Sequence, residues 1–125
     1  MPYKLTVKGH FDAAHYLRGY EGKCQRLHGH TFNYIVEIEG KVLNKLGILI
    51  DFVDIKAAMK MLEEDWLDHK DLNNVGPFMS KNPTAENLAE FIYKSLRSAF
   101  ICLADVRISS VTVWESPDAG ATFYE

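Results

Sequence analysis

His28-Gly29-His30-Thr31-Phe32-Asn33-Tyr34-Ile35-Val36-Glu37-Ile38-Glu39 alternates along its length: His28, His30, Phe32, Tyr34, Val36 and Ile38 fall on even positions, against Thr31, Asn33, Glu37 and Glu39. A period of two sends successive side chains to opposite faces of a β-strand, so this run predicts a half-buried strand with both histidines on its apolar side. Upstream, Tyr3 to His15 has the same period. Its odd positions read Tyr3, Leu5, Val7, Gly9, Phe11, Ala13 and His15, and its even positions include Lys4, Thr6, Lys8, His10 and Asp12. The turn-rich Arg18-Gly19-Tyr20-Glu21-Gly22-Lys23 separates the two strands.

Downstream the period changes. Ile55, Ala58, Met59, Leu62 and Trp66 recur at helical intervals between Asp51 and Trp66, with Asp51 as the N-cap. Turn formers fill the connection from Leu72 to Lys81 (Asn73, Asn74, Gly76, Pro77). Asn82-Pro83-Thr84 then opens a second helix whose apolar stripe is Leu88, Phe91, Ile92 and Leu96. Val106 and Ile108 give way to Val111, Val113 and Glu115, and this shift of parity predicts a bulge at Ser109-Ser110 in a third strand. After the turn at Ser116-Pro117-Asp118-Ala119-Gly120, Ala121 to Tyr124 make a last strand. The order is ββααββ in one domain spanning residues 1–125. Two helices cannot cover both faces of a four-stranded sheet, so the expected class is α+β: an antiparallel sheet with both helices on one face. The uncovered face is then expected to need a partner, and self-association follows.

Composition narrows the function classes. A formal charge of -3 gives no broad basic surface for nucleic acid. No stretch approaches the length of a membrane span, and the first residues have no apolar run of signal-peptide length, so cytoplasmic residence is expected. Cys24 and Cys102 are read as free thiols, Cys102 as a small buried hydrophobe in the apolar run Ala99 to Leu103.

His28 and His30, two residues apart on a strand, share a face about 7 Å apart along the backbone and can converge on one ion. His15 lies on the buried parity of its own strand. Three inward imidazoles suit zinc, leaving a fourth position for water or substrate. Hydrogen-bonded core histidines are the plainer alternative. Cys24, four residues before His28, has two readings: a base or nucleophile whose thiolate Lys23, Arg26 and the metal favour, or the fourth ligand of a closed structural site. Spacing does not separate them. Asp68 and His69 end the first helix, an acid placed to orient an imidazole, against the alternative of a solvated helix end. Glu115 points toward the apolar face, where a carboxylate needs a partner or a function unless the strand end is exposed.

Together these segments resemble one family. Phe11-Asp12-Ala13-Ala14-His15, Cys24-Gln25-Arg26-Leu27-His28-Gly29-His30, Ile50-Asp51-Phe52, Leu67-Asp68-His69, Pro83-Thr84-Ala85-Glu86-Asn87 and the strand ending at Glu115 are similar, in chain order, to the 6-pyruvoyl-tetrahydropterin synthase family. The resemblance runs from about residue 5 to the end. It implies a tunnelling fold (T-fold), a homohexamer of two trimeric rings, and active sites between subunits. It also implies zinc on His15, His28 and His30, a proton-accepting Cys24, an Asp68–His69 pair, Glu115 as anchor of a pterin ring, and Thr84 near that ring. The short chain and the Cys-x-x-x-His-Gly-His form are most similar to the bacterial branch that makes 6-carboxy-5,6,7,8-tetrahydropterin for queuosine. That branch acts on 7,8-dihydroneopterin triphosphate, and Arg18, Lys23 and Arg26 are candidates to receive the triphosphate. The pyruvoyl branch, which keeps the substrate side chain, is the near rival, and Ala85 departs from the threonine of its animal members. A noncatalytic zinc-stabilised binding module is the rival of another class.

Overall fold

A computed structural model describing residues 1–125 turns the two alternating runs into strands β1 (Tyr3–His15) and β2 (His28–Gly40). They pair antiparallel without interruption, from Tyr3 opposite Gly40 to His15 opposite His28. Their shared inner face is the core: Val7, Phe11, Phe32, Tyr34, Val36 and Ile38 are all at most 4% exposed. Burying each large side chain of this kind contributes roughly 1.5–3 kcal/mol. Phe11 stacks on Phe32 with ring centroids 5.1 Å apart.

Gly9, opposite Tyr34, leaves room for the phenol ring, whose hydroxyl donates to the Glu63 carboxylate. Burial, reinforced by that bond, pushes the phenol's pKa well above its ordinary value. A methyl group at Gly9 would stand 2.7 Å from the Tyr34 ring and 2.9 Å from a Glu63 carboxylate oxygen. Gly9→Ala is therefore expected to destabilise the fold by about 1–3 kcal/mol, read as a lower urea midpoint. An unchanged midpoint would show that Tyr34 yields freely.

Helix α1 (Phe52–Leu62) starts as expected, with the Asp51 carboxylate accepting from Val53 N at 2.9 Å. A π-helical turn, Glu63–Leu67, follows, closed by Asp68 N donating to Glu63 O at 2.7 Å. The wider turn shifts the helical phase, so Leu67 is fully buried and Trp66, expected on the apolar stripe, is 44% exposed. Directly afterwards β3 (Lys70–Asp71) pairs parallel with Ala13 and Ala14 of β1. The sheet thus has five strands in the order β3-β1-β2-β4-β5, rather than four. A two-residue strand is too short to show any period.

Helix α2 (Ala85–Ala99) is capped by Thr84 and buries Leu88, Ile92 and Leu96, with Phe91 half-buried against Phe78. The chain turns at once after Ala99, leaving Ile101 78% exposed and Cys102 exposed with it, so the expected burial of Cys102 is not found. Strand β4 (Val106–Ser116) carries the expected bulge: Glu37 faces Ser110 while Ile38 faces Ile108, leaving Ser109 as the extra residue. Strand β5 (Ala119–Tyr124) follows a two-residue turn.

The face away from the helices is mostly polar, with Ile35, Trp114 and Tyr124 as its large apolar members. Lys4 pairs with Glu37 at 3.2 Å, Arg107 with Glu39 at 3.4 Å, and the hydroxyls of Thr112 and Thr122 lie 2.7 Å apart. No element of the chain covers this face, where the alternating strands present their charged positions. What the sheet leaves open is its edges. β1 has a neighbour on its outer side only at Ala13 and Ala14, and β5 has none.

Candidate metal centre

The β1–β2 register ends by setting His15 beside His28, and His30 is next on the same face. The ring centroids lie 4.6 Å apart for His15 and His28, 5.2 Å for His15 and His30, and 4.8 Å for His28 and His30. One ligand nitrogen from each ring lies within 4.8 Å of the others. Phe32 is their floor, with edge contacts at 5.3 Å to both His15 and His30. The packing that forms the core therefore also limits how these imidazoles can turn.

Hydrogen bonds select which nitrogens are available. His15 Nδ1 lies 2.7 Å from Pro83 O and His28 Nδ1 lies 2.6 Å from Arg26 O. A carbonyl only accepts, so each Nδ1 carries the proton and each Nε2 presents a lone pair. The Nε2 atoms of His15 and His30 are buried with no hydrogen-bond partner. Orphaned buried nitrogens cost free energy, and a cation held among them removes that cost. Desolvation by burial lowers the pKa of both His15 and His30, which keeps the rings neutral and able to ligate. The residues fit a metal. The Cys24 sulfur lies outside the group, which consists of the three imidazoles alone.

Glu115 brings a carboxylate to the edge of this group, with Oε1 3.8 Å from His15 Nε2. It also lines a cleft of about 310 Å³ with Leu17, Thr84, Ala85, Glu86 and Ala119 to Ala121. Thr84 Oγ1 accepts from Asn87 N at 3.1 Å as the cap of α2, which leaves its hydroxyl proton free to donate. A second hollow of about 330 Å³ lies among Tyr3, Leu5 and Phe52, some 40 Å along the hairpin by strand rise. It is apolar and carries no comparable donor set.

Asp68 and His69 form the expected dyad, with His69 Nδ1 2.9 Å from Asp68 Oδ2. The Asp12 backbone N–H, donating to Asp68 Oδ1 at 2.9 Å, is the main cause that holds the Asp68 carboxyl below its ordinary pKa. His69 donates its own backbone N–H to Asp12 O and takes up φ 57°. The structure does not bring this dyad to the three histidines. It sits at the β3 edge, and the His69 side chain is 78% exposed. Cys24, half-buried on a short turn (Lys23–Gln25), accepts Leu17 N on its carbonyl at 2.7 Å. Of the basic candidates, Arg18 is already engaged, donating to Asn73 O and lying over the Tyr16 ring, while Lys23 and Arg26 are exposed.

Two asparagines escaped sequence reasoning. Asn73, 3% exposed, accepts Tyr16 N at 2.9 Å and donates to Tyr16 O at 3.0 Å. Asn82 treats Arg18 the same way, at 2.8 and 3.0 Å. Both lie in stretches whose composition reads as turn, and nothing local distinguishes an amide that serves its own turn from one that grips a segment far along the chain.

Comparison with known proteins adds to this geometry. The family model described as 6-pyruvoyl tetrahydropterin synthase matches residues 4–125. A 6-carboxy-5,6,7,8-tetrahydropterin synthase of Haemophilus influenzae is 31% identical over 144 residues, covering 98% of this chain and 99% of the relative. A dihydroneopterin monophosphate aldolase of Pyrococcus furiosus is 32% identical over 120 residues, covering 96% of each. The solved 6-pyruvoyl tetrahydropterin synthase of Caenorhabditis elegans superposes with a TM-score of 0.87 at 26% identity, covering 98% of this chain and 95% of that one.

Proposed function

We propose a function from one premise: this chain belongs to the 6-pyruvoyl tetrahydropterin synthase family. It is a zinc-dependent, cytoplasmic enzyme that converts 7,8-dihydroneopterin triphosphate to 6-carboxy-5,6,7,8-tetrahydropterin, on the route to queuosine. One observation carries the reading: three histidines converge beside Glu115, whose Oε1 lies 3.8 Å from His15 Nε2, and Glu115 lines a cleft that also holds Thr84. The conversion consumes one water and releases triphosphate and acetaldehyde. It needs no outside oxidant, since oxidation of the carbon that becomes carboxylate is matched by reduction of the ring together with the released two-carbon fragment.

Glu115 accepts two parallel hydrogen bonds from the amino-pyrimidine edge of the pterin, as a carboxylate does from a guanidinium. The Thr84 hydroxyl, in the same cleft, donates to the ring. His15, His28 and His30 would hold the zinc, which when bound would polarise the substrate's side-chain oxygens and lower the pKa of neighbouring protons. Cys24 accepts and returns a proton at its sulfur. His69, oriented through Nδ1 by Asp68, does the same at Nε2.

Because the dyad sits apart from the histidines, the working site takes Asp68 and His69 from a second copy. The open edges favour such an assembly. Neighbouring long strands alternate in direction, so the free edge of β5 can pair antiparallel with residues 3–12 of the next copy's β1, and a closed ring leaves no edge exposed. The homohexamer of two such rings is the form the family resemblance implies. Mixing inactive His28→Ala and His69→Ala proteins and reassembling them is expected to restore about a quarter of wild-type activity, the random share of sites with both halves intact. No recovery would place the whole site within one chain.

Similarity to the Pyrococcus furiosus relative supports a second reading, in which the chain cleaves a dihydroneopterin monophosphate. Zinc-loaded protein incubated separately with the triphosphate and the monophosphate, with every product identified by mass spectrometry, decides among these. Acetaldehyde and carboxytetrahydropterin establish the proposal, and a retained side chain moves the protein to the pyruvoyl activity. Turnover of the monophosphate alone makes it an aldolase, and zinc binding without turnover of either leaves a binding module.

A further inference from the structure

The residues directly after His15 are held to an unusual degree. Tyr16 is bound at both its N–H and its C=O by the Asn73 amide, and Arg18 at both by the Asn82 amide. Leu17, between them, donates to Cys24 O. Each asparagine reaches across more than fifty residues of chain, and each uses both ends of its amide on one residue, as a neighbouring strand would. Neither is needed as a helix cap at that point, since Thr84 already caps α2. Asn82 is itself held, its carbonyl accepting Asn87 Nδ2 at 2.8 Å. The next carbonyl along, Pro83 O, is the one that binds His15 Nδ1.

We propose that Asn73 and Asn82 are positioning residues for the metal centre: their amides fix the Tyr16–Arg18 strap, and Asn82 together with the Thr84 cap fixes the Pro83 carbonyl that sets the His15 tautomer. The same strap carries Leu17, which lines the Glu115 cleft, so one brace serves both the ligand and the cleft wall. The inference rests on His15, His28 and His30 binding a metal, but its central claim concerns the His15 ring with or without one. An amide one methylene longer would not meet both groups of a single residue without displacing the strap, so asparagine is the fitting residue at both places.

The test compares Asn73→Ala, Asn82→Ala and Asn82→Asp with Asn44→Ala. Asn44 binds Leu46 N and Ile48 N in an exposed loop at the far end of β2, and so serves as a hydrogen-bonded asparagine away from the site. Zinc dissociation constants by chelator competition are expected to rise about ten- to a hundred-fold for the two alanine variants near the site, and not for Asn44→Ala. Asn82→Asp keeps the acceptor for Arg18 N–H and loses the donor, so it falls between; it also keeps the question open to measurement should Asn82→Ala fail to fold. Long-range nitrogen spectra of metal-free protein are expected to show His15 as the Nδ1–H tautomer in wild type and as a mixture in Asn82→Ala. Lower stability with zinc affinity and tautomer both unchanged would overturn the proposal and make the asparagines merely structural. A wild-type protein that binds no zinc would instead defeat the metal reading, and the tautomer spectra would still decide this one.

Discussion

Cys24→Ala is expected to lower turnover of the pterin substrate by about a thousandfold while the protein keeps its zinc. The magnitude is that of one lost general acid–base group, about 10²–10⁴ in rate. Retention of zinc follows from the Cys24 sulfur lying outside the histidine group. The measurement is a paired one, steady-state turnover and metal content of the same preparation. Loss of metal together with activity would return Cys24 to the role of fourth ligand and make the centre a structural one. The thiol is only half-buried on a turn that contributes no residue to the core, so the substitution should leave stability within about 0.5 kcal/mol.

His28→Ala separates the other half of the site. Apparent zinc binding in four-ligand sites amounts to about 10–16 kcal/mol, or roughly 3 kcal/mol for each ligand, so removing one of three imidazoles is expected to weaken zinc binding about 10²–10³-fold. Turnover should fall with it and recover in part at high zinc. His28 is the ligand of choice for this test because it is only half-buried, whereas removing His15, 1% exposed on Phe32 and bonded to Pro83 O, would also leave a cavity and an unpaired carbonyl. Unchanged zinc affinity in His28→Ala would exclude the triad as the metal centre.

Much of this was legible in the residue order, for a physical reason. Strand parity places side chains without reference to anything distant, so the common face of His15, His28, His30 and Phe32 could be read directly, and so could the bulge at Ser109. The N-cap at Asp51 is likewise a local bond. Features that depend on partners far along the chain were not legible. The two residues of β3 become a strand only because Ala13 is beside them, and the phase slip that buries Leu67 instead of Trp66 arises in one wide turn. Asn73 and Asn82 look like turn residues until the segment they grip is folded against them. Cys102 misled because an apolar run implies burial only inside an element that faces the core, and α2 stops before it. That the Asp68–His69 dyad stands apart from the metal centre is a matter of tertiary distance, on which spacing says nothing.

The wide turn at Glu63–Leu67 makes the tolerance of this chain to changes in length uneven. Tightening it to an ordinary helical turn with no residue removed would rotate everything after it by about 100° around the helix axis. Trp66 would take the buried place of Leu67, and the Asp68 carboxylate would leave its mooring on the Asp12 amide. The segment between β2 and α1 bears no such constraint, for its exposed residues 44–47 are held only by their own turn. Length variation belongs there, and the width of the Glu63–Leu67 turn is as much a part of the placement of Asp68 and His69 as the identities of its residues.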